Sequence, residues 1–325
     1  MHTFIWACWL VVQAFTFSTP APCVVAPTEE KGFLLSSADL GSNWKDISKG
    51  LPSNVGPISF WAENGTYYLG ASEGLFIGSA LMPVTQWKKS MLQEKGIRGI
   101  YPGQHGPYAI SQWHGFFEYQ PTSGMWRTMA ESLEDKSMNT LFETPSGVLY
   151  AGCEGGLYMT KDHGKSWTLI LDKGPVNEVM ATDEVLIACT NQNAWRSTDG
   201  GKQWDRIFTG TENPFRVTAF QNSLVAFCPG KDLMGVRTSN TILQSKDNGI
   251  TWSPMSNMLP STLTDVYDIQ QAGDVVITCG HEGIFRSKDH GKTWEQVLKN
   301  TRERGGFYKL TISEGEIFVL YIEGC

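Results

Sequence analysis

The chain contains Ser287-Lys-Asp289-His-Gly291-Lys-Thr293-Trp294, and this phrase decides the fold because the chain repeats it five times. The other copies run from Ser37 to Trp44, Thr160 to Trp167, Ser197 to Trp204 and Ser245 to Trp252. Their shared pattern is Ser/Thr-x-Asp-x-Gly-x-x-Trp, with aspartates at Asp39, Asp162, Asp199, Asp247 and Asp289. Asp-x-Gly is turn chemistry, since the aspartate can accept backbone N–H groups two residues on and glycine tolerates a positive φ. The phrase predicts a tight turn between two strands, followed by a tryptophan that packs on a neighbouring sheet.

Two further tryptophans, Trp87 and Trp126, lie between the first and second copies and complete a ladder of seven. Its successive steps are 43, 39, 41, 37, 48 and 42 residues. A repeat of about 40 residues made of short apolar runs and turns is typical of a ring of stacked four-stranded sheets. The ladder therefore predicts an all-β, seven-bladed β-propeller. One blade, residues 175–209, predicts strands at 177–182, 185–190, 194–198 and 204–209.

The two ends of the chain predict how the ring closes. Residues 32–36 lead straight into the first copy, with no pair of strands before it. Residues 307–313 and 316–321 predict two strands with no further pair after them. Together these halves make one blade, which removes the last open sheet edge. We assign residues 32–325 to a single propeller whose closing blade is shared between N- and C-terminal strands.

The repeated phrase is the Asp-box, also called the bacterial neuraminidase repeat. From residue 32 to residue 325 the chain resembles the Asp-box propeller superfamily, which includes sialidases, xyloglucanase-type glycosidases, sortilin-type receptors and photosystem II assembly propellers. The resemblance is specific for the fold and says little about function, since one fold hosts many activities. In the sialidase relatives the Asp-boxes are distant from the active site, so the resemblance implies that the five aspartates are structural.

The N-terminal segment predicts export. Residues 1–18 contain no Asp, Glu, Lys or Arg, and residues 4–17 form an apolar run too short to span a bilayer. Such a run fits a signal-peptide core, although the usual preceding basic residues are missing. A buried N-terminal strand or a start codon assigned too early are the alternatives. We expect a secreted or extracytoplasmic protein with a signal peptide at 1–18, a Pro-rich linker at 19–31 and no membrane span. Asn64 begins an Asn-x-Thr sequon and is a candidate glycosylation site.

Charge and cysteine usage exclude several classes of function. The net charge is −7 with no basic block, which argues against nucleic acid as a partner. Cys153, Cys189 and Cys279 occupy the same place in their blades, and an insertion displaces the counterpart Cys228. We expect these four as small buried residues near the channel. No cysteine pair has metal-site spacing, so we predict no zinc or other metal, and we predict no cofactor.

The closing blade also predicts a disulfide between Cys23 and Cys325. Cys325 lies just after the second strand of that blade, and Cys23 lies about ten residues before its third strand. The two strands are neighbours if the ring closes as described. In an oxidising compartment the pair can then join the two chain ends. The alternative is that one or both thiols stay free.

One face of the predicted ring carries the candidate binding site. In a propeller, the connections between blades and between second and third strands gather around the mouth of the central channel, opposite the Asp-box turns. The candidates there are Glu73, Arg98, Trp113, His114, Glu154, Glu178, Arg216, Asp265, His281 and Glu282. They predict a polar funnel of mixed charge. The alternative is that these residues are polar only because loops are exposed to solvent. The pair Trp113–His114 suits stacking on a sugar or peptide, and a tryptophan wedged into its own blade is the alternative.

The motifs of a hydrolase are incomplete. Glycosidases use two carboxylates, whereas sialidases use a tyrosine nucleophile and arginines that hold the substrate carboxylate. The sialidase sequence Arg-Ile-Pro is absent, Arg196 and Arg286 stand beside Asp-boxes, and no motif supports the pair Tyr267–Asp268. Glu154, Glu178 and Asp265 leave a two-carboxylate glycosidase open.

The leading hypothesis is a secreted, non-catalytic monomeric propeller that binds an extracellular protein or glycan at the channel mouth, with no catalytic residue assigned. The alternative is a glycoside hydrolase acting on extracellular glycans. A third interpretation, an assembly factor like the photosystem II propellers, lacks a basic patch to favour it.

Overall fold

The computed structural model describes residues 32–323, apart from 82–84, 93, 113–114, 130–132, 134–135, 192, 209–214, 231, 234–235, 238, 256–257 and 303–304. Within these residues, thirty strands form seven antiparallel four-stranded sheets and one two-stranded hairpin. Each sheet is a blade that runs from an inner strand A to an outer strand D, and the A strands of neighbouring blades contact one another. The predicted all-β, seven-bladed propeller is confirmed.

Blades 1 to 4 occupy the first half of the ring. In the order A to D, blade 1 consists of β29 (Gly306–Ser313), β30 (Glu316–Glu323), β1 (Leu34–Ser37) and β2 (Lys45–Asp46). Blade 2 consists of β3 (Pro57–Glu63), β4 (Thr66–Ala71), β5 (Gly74–Ser79) and β6 (Lys88–Lys89). Blade 3 consists of β7 (Ile97–Tyr101), β8 (Tyr108–Ser111), β9 (Phe116–Gln120) and β10 (Met125–Thr128). Blade 4 consists of β11 (Met138–Glu143), β12 (Leu149–Cys153), β13 (Gly156–Thr160) and β14 (Thr168–Leu171).

Blades 5 to 7 complete the ring. Blade 5 consists of β15 (Val176–Ala181), β16 (Leu186–Thr190), β17 (Ala194–Ser197) and β18 (Asp205–Arg206). Blade 6 consists of β19 (Arg216–Phe220), β20 (Ser223–Cys228), β23 (Thr241–Ser245) and β24 (Ser253–Pro254). Its insertion forms the small hairpin of β21 (Asp232–Leu233) and β22 (Val236–Arg237). Blade 7 consists of β25 (Val266–Ala272), β26 (Val275–Gly280), β27 (Gly283–Ser287) and β28 (Glu295–Lys299).

The ring closes within blade 1. Strand β1 from the N-terminal side pairs antiparallel with β30 from the C-terminal side, in a register that runs from Leu34 opposite Leu320 to Ser37 opposite Ile317. The predicted shared blade is therefore confirmed. Because all four residues of β1 are buried, its ladder hydrogen bonds form away from water and hold the two chain ends together.

The outer strands are shorter than the sequence predicts. In blade 5 the A, B and C strands lie within one residue of the predicted bounds, but strand D covers only Asp205–Arg206 instead of 204–209. Both residues of this strand are exposed. An outer strand has a partner on one side only, so its ladder ends as soon as the twisted blade turns away.

The seven tryptophans occupy equivalent places, as the ladder predicts. Trp126 lies in β10, and the other six directly precede the D strands of their blades. Each indole packs against the preceding blade. For example, Trp126 stacks edge-on against Tyr68 and Trp252 lies 5.1 Å from the ring of Phe208. The rings are half-buried, and they link each blade to its neighbour.

The Asp-box turns share one hydrogen-bond network. In the last copy, Ser287 Oγ accepts the N–H of Gly291 at 2.8 Å and donates to Asp289 Oδ1 at 2.8 Å. Asp289 Oδ1 also accepts the N–H of Thr293 at 2.8 Å. The aspartate thus binds the backbone four residues on, and our expectation of two residues was wrong. The span is longer because His290 and Gly291 are both left-handed, with φ of 60° and 89°, and carry the chain around the carboxylate.

Candidate functional site

The two faces of the ring carry different turns. In blade 7, the turn between strands B and C leads into Gly283 at one end of β27, and the Asp-box starts at Ser287 at its other end. The two segments therefore lie on opposite faces of the ring. We call the side with the B–C turns and the starts of the A strands the mouth face, and the opposite side the Asp-box face.

Five of the seven A strands bend in the same way where they enter the mouth face. Their ladders shift register between Pro57 and Ser59, Ile97 and Gly99, Met138 and Thr140, Val176 and Glu178, and Val266 and Asp268. The residues passed over by these bulges are Ile58, Arg98, Asn139, Asn177 and Tyr267. A bulge twists the strand and changes the direction of a side chain. The channel mouth is thus ringed by bulged residues of different chemistry.

Three of the predicted carboxylates hold their own blade together. Glu73 Oε2 accepts the N–H of Gly56 at 3.0 Å, just before strand A of blade 2. Glu282 Oε1 accepts the hydroxyl of Thr264 at 2.7 Å, just before strand A of blade 7. In blade 4, Glu154 Oε1 accepts Nδ2 of Asn139 at 3.1 Å. These B–C carboxylates fix the entry of strand A, which is a structural use of residues that we predicted as ligand contacts.

Asparagine and tyrosine side chains connect blades 3, 4 and 5 at the mouth. The hydroxyl of Tyr101 donates to the carbonyl of Asn139 at 3.3 Å. Asn139 Nδ2 reaches the carbonyl of Val176 at 3.3 Å, and Nδ2 of Asn177 donates to Oδ1 of Asn191. This polar chain stabilises one half of the mouth.

The other half holds an ion pair between blades 6 and 7. Arg216 Nη2 lies 2.6 Å from Asp268 Oδ1, and Asp268 is only 4% exposed. Gln270 Nε2 donates to the second oxygen of Asp268 at 3.2 Å, and the guanidinium of Arg216 lies 4.9 Å from the ring centroid of Phe227. Burial alone would lower the pKa of Arg216, but Asp268 and Glu178 outweigh it and raise that pKa. Arg216 therefore stays charged beside the channel.

Glu178 and Lys309 complete this group. Burial raises the pKa of Glu178. The positive charges of Arg216 and Lys309 oppose that rise, and the negative charge of Asp268 adds to it. Burial also lowers the pKa of Lys309, which Glu178 partly offsets. Lys309 is exposed, and its Nζ donates to the carbonyl of Ile58 in blade 2 at 3.4 Å. We call Glu178, Arg216, Asp268 and Lys309 the channel cluster; they come from the A strands of blades 5, 6, 7 and 1.

Three aromatic residues stand within two positions of Arg216, Asp268 and Lys309 in the chain, at the starts of neighbouring A strands. Phe215 precedes β19 and is 45% exposed, and Phe307 is the second residue of β29 and is 36% exposed. Tyr267 is a bulged residue of β25, and its ring meets that of Phe307 edge-on at 6.0 Å. We call these three residues the aromatic arc.

The remaining predicted residues have separate surroundings. Arg98 is exposed at its bulge, Asp265 Oδ1 accepts the N–H of Asn240 at 2.7 Å, and His281 is exposed. Trp113 and His114 lie outside the described residues. The structure thus brings Glu178 and Arg216 together and keeps Glu73, Glu154 and Glu282 in their own blades.

Sequence reasoning missed Phe215, Phe307 and Gln270. All three flank or occupy A strands, in which alternation predicts one buried and one channel-facing set of side chains. Phe215 and Phe307 stand at the entries of β19 and β29, where the alternation only begins, so they looked like ordinary strand residues. An aromatic residue at the start of several A strands in succession is the signal that could have identified them.

The five Asp-box aspartates lie on the opposite face, in turns. Hydrogen bonds from Asn43, Thr251 and Thr293, each four residues on, are the main cause that lowers the pKa of Asp39, Asp247 and Asp289 to about 2. The same type of contact lowers the pKa of Asp162 and Asp199. These carboxylates accept hydrogen bonds from their own turns.

Two other sequence expectations concern positions away from the mouth. Cys153, Cys189, Cys228 and Cys279 are buried thiols, as expected. Asn64 is exposed at the turn between β3 and β4, where its N–H donates to Glu314 Oε1 of blade 1 at 2.6 Å. Cys23, Cys325 and the segments 1–18 and 19–31 lie outside the described residues.

Two kinds of feature are absent from the described residues. No helix there is long and apolar enough to cross a membrane. No cluster of three or more His, Cys, Asp or Glu side chains in the same part of the chain is placed to hold a metal ion.

Comparison with known families supports the repeat. Residues 284–297 match the model of the BNR-Asp box repeat, which covers the last copy of the phrase. The other copies share its hydrogen bonds, and the ring has seven blades. The chain is an Asp-box β-propeller.

This propeller has distant sequence relatives among glycosidases. It is 23% identical over 239 residues to the xyloglucanase Xgh74A of Acetivibrio thermocellus, a match that covers 56% of the chain and 28% of the enzyme. It is 27% identical over 185 residues to a xyloglucanase of Hypocrea jecorina, covering 54% of the chain and 18% of that enzyme. The matched part thus covers less than a third of the length of each of these relatives.

Solved structures of similar fold include two of YCF48. One, bound to a D1 peptide, superposes with a TM-score of 0.62 at 13% identity and covers 90% of this chain and 98% of that one. The other, from Cyanidioschyzon merolae, gives 0.61 at 13% identity and covers 84% and 95%. The extracellular domain of the hybrid two component system BT3049 of B. thetaiotaomicron gives 0.56 at 11% identity and covers 81% of this chain and 39% of that domain. These likenesses establish the fold.

Proposed function

We propose that this protein is a secreted, non-catalytic binding propeller whose mouth face takes up a segment of an extracellular protein or glycan. The observation that carries the proposal is the aromatic arc of Phe215, Tyr267 and Phe307 beside the channel cluster. Phe215 and Phe307 are exposed and Tyr267 is half-buried. Accessible aromatic side chains are enriched at binding surfaces, since they offer a large apolar area at a small cost in side-chain entropy.

The channel cluster adds charge of both signs to the same half of the mouth. Glu178 and Asp268 are opposed by Arg216 and Lys309, and the Arg216–Asp268 pair is largely buried. A protein segment with apolar and charged side chains matches such a surface better than an uncharged sugar chain does. Of the two partner classes, protein and glycan, we therefore favour a protein.

The carboxylates support a binding role over hydrolysis. Glu154 binds Asn139, Asp265 binds the backbone of Asn240, and Asp268 pairs with Arg216. The other predicted mouth carboxylates, Glu73 and Glu282, also have hydrogen-bond partners, in Gly56 and Thr264. Support for a place outside the cytoplasm comes from the apolar run at residues 4–17 and from the extracellular domain with the same fold.

The test is a binding screen with matched variants. Arrays of extracellular proteins and of glycans from the source organism's surroundings would be probed with the wild type and with the double variant Tyr267→Ala/Phe307→Ala. The control is Ile250→Ala, because Ile250 is 65% exposed in an Asp-box turn on the opposite face. The proposal expects binding that the mouth variant weakens at least about tenfold and the control leaves unchanged. Binding that both variants retain in full would contradict it.

The alternative function is a glycoside hydrolase. The observation that favours it is the raised pKa of Glu178, since a general acid needs a carboxyl that keeps its proton. Similarity to xyloglucanases points the same way. Release of reducing ends from xyloglucan by the wild type, abolished in Glu178→Gln, would support this function and overturn the non-catalytic proposal.

A further inference from the structure

Two histidines from neighbouring blades meet on the Asp-box face. The rings of His105 and His163 have centroids 5.4 Å apart and planes inclined at 45°. His105 lies in the connection between strands A and B of blade 3, and His163 lies in the Asp-box of blade 4. Both residues are exposed, and neither belongs to the mouth face.

The Asp-box turn fixes the backbone of His163. Thr160 Oγ1 accepts the N–H of Gly164 at 3.1 Å and donates to Asp162 Oδ1 at 2.6 Å, while that carboxylate oxygen accepts the N–H of Ser166 at 3.0 Å. These bonds enclose the residue on both sides and set its φ at 56°. Because the backbone of this turn is fixed, the Cα and Cβ atoms of His163 are already in place before a ligand binds. Binding then has to order only the side-chain torsions, which lowers its entropy cost.

The backbone beside His105 is fixed against the same blade. The N–H of Gln104 donates to Glu143 Oε2 at 2.9 Å, and its Nε2 donates to the carbonyls of Thr144 at 3.0 Å and Pro145 at 2.6 Å. All three acceptors belong to blade 4, which also carries His163. The two imidazoles are therefore brought together by contacts that do not involve the histidines themselves.

We propose that His105 and His163 bind one divalent transition-metal ion between blades 3 and 4, with water in the remaining coordination positions. A metal about 2.0–2.1 Å from each of two imidazole nitrogens in tetrahedral geometry places the ring centroids roughly 5 Å apart. The observed 5.4 Å matches that spacing. Imidazole nitrogen suits Zn²⁺, Ni²⁺ and Cu²⁺ and is a poor ligand for Mg²⁺.

Blade 7 provides a matched comparison. Its Asp-box has His290 at the place of His163, with a similar φ of 60°. In blade 6, Asn248 at this place reaches back to Glu184 of the preceding blade, which shows that the position faces the A–B turn there. The corresponding partner of His290 is the A–B turn of blade 6, which contains Gln221 and Asn222 and therefore no histidine. The site thus depends on a histidine pair that only the blade 3–4 junction supplies within the described chain.

The test measures thermal unfolding of the untagged full chain with and without ZnCl₂. A metal that binds the folded state raises Tm in proportion to the logarithm of its concentration above the dissociation constant. The variants are His105→Ala and His163→Asn, with His290→Asn as control. Asparagine keeps the left-handed turn, as Asn248 does at φ 57° in blade 6. MgCl₂ serves as the control ion.

The proposal expects a zinc-dependent rise in Tm for the wild type and His290→Asn that both site variants lose, with no rise for any protein in MgCl₂. Isothermal titration should give one Zn²⁺ per chain, bound at least about tenfold more weakly by His163→Asn. Because His163→Asn preserves the turn, an unchanged Tm without zinc confirms that the variant is folded. No zinc response in the wild type, or an equal response in His163→Asn, would overturn the proposal.

Discussion

Arg286 Nη1 donates a hydrogen bond of 2.9 Å to the carbonyl of Leu40, and the two residues belong to the last and first blades of the ring. The same nitrogen reaches Ser42 Oγ at 2.7 Å, and Nη2 pairs with Glu295 at 2.8 Å. Arg286 is 5% exposed, so its charge is shielded from water by these partners. The ring is therefore closed twice, by the ladder between β1 and β30 and by this arginine on the Asp-box face.

Replacing Arg286 by alanine should destabilise the protein by about 2–3 kcal/mol. The change removes the three hydrogen bonds that the buried guanidinium donates to Leu40, Ser42 and Glu295. It also leaves the carbonyl of Leu40 without this donor. Urea unfolding followed by tryptophan fluorescence measures the free energy. The control is Arg196→Ala, since Arg196 occupies the same place in blade 5 but is less buried and donates to Asn248. A loss for Arg286→Ala no greater than for the control would contradict a special role in closure.

The tryptophan ladder contains a second comparison, because its indoles differ in their hydrogen bonds. Trp204 Nε1 donates to the carbonyl of Ile170 in the preceding blade at 2.8 Å, whereas Trp167 Nε1 is a buried donor without a partner among the described residues. Trp204→Phe should therefore cost about 1 kcal/mol more than Trp167→Phe, since both changes remove similar ring area but only one removes a bond. Equal losses in urea unfolding would show that the indole bond contributes nothing.

The sequence predicts the ring well because its turns are chemically specific. Asp-x-Gly and the following tryptophan mark the same point in five blades, and Trp87 and Trp126 mark it in the other two, so counting Trp44 to Trp294 counts the blades. The closing blade followed from the same argument, since a half-blade at each end can be satisfied only by pairing the two ends. The turn chemistry thus predicts the number of blades, and the need to cover the last sheet edge predicts how the ring closes.

The mouth is harder to predict because it depends on contacts between blades. Glu178 and Arg216 were identified from their places at the starts of A strands, but the ion pair of Arg216 with Asp268 depends on a one-residue bulge in β25. A one-residue shift moves a side chain to the other face of a strand, and no sequence signal marked these bulges. The carboxylates of Glu73 and Glu282 looked free because their partners, Gly56 and Thr264, lie 17 and 18 residues away in the chain and come close only when the blade folds.

The Asp-boxes predict acid sensitivity. The pKa of Asp39, Asp247 and Asp289 is lowered to about 2 in the folded protein. A lowered folded-state pKa adds stability above the unfolded value of about 3.9, and that stability is lost as pH falls through the folded value. The free energy of unfolding should therefore decline between about pH 4 and pH 2. Asp289→Asn should flatten this decline when urea unfolding is repeated at each pH. An unchanged slope would show that the turn bonds do not favour the ionised carboxylate.

The disulfide between Cys23 and Cys325 stays a prediction. If it forms in secreted protein, it closes a loop of about 300 residues, which the chain-entropy model values at up to roughly 5 kcal/mol. Non-reducing peptide mapping should find the two cysteines joined, while the buried Cys153, Cys189, Cys228 and Cys279 remain thiols. Free thiols at both positions, or Cys23 joined to a blade cysteine, would refute the pairing.

Glu178→Gln should stabilise the protein at neutral pH. Burial raises the pKa of Glu178 in the folded state despite the nearby Arg216 and Lys309, so folding disfavours its ionised form. For an acid with a raised folded-state pKa, stability is full below the unfolded value and falls as pH rises through the folded one. Glutamine has the same shape and no charge, so the variant should have the higher Tm at pH 7.5 and lose that advantage near pH 4, around the ordinary pKa of about 4.3. A Tm difference that stays constant from pH 4 to pH 7.5 would show that the charge of Glu178 has no cost in the channel. A lower Tm for the variant at pH 7.5 would show that attraction to Arg216 and Lys309 exceeds the effect of burial.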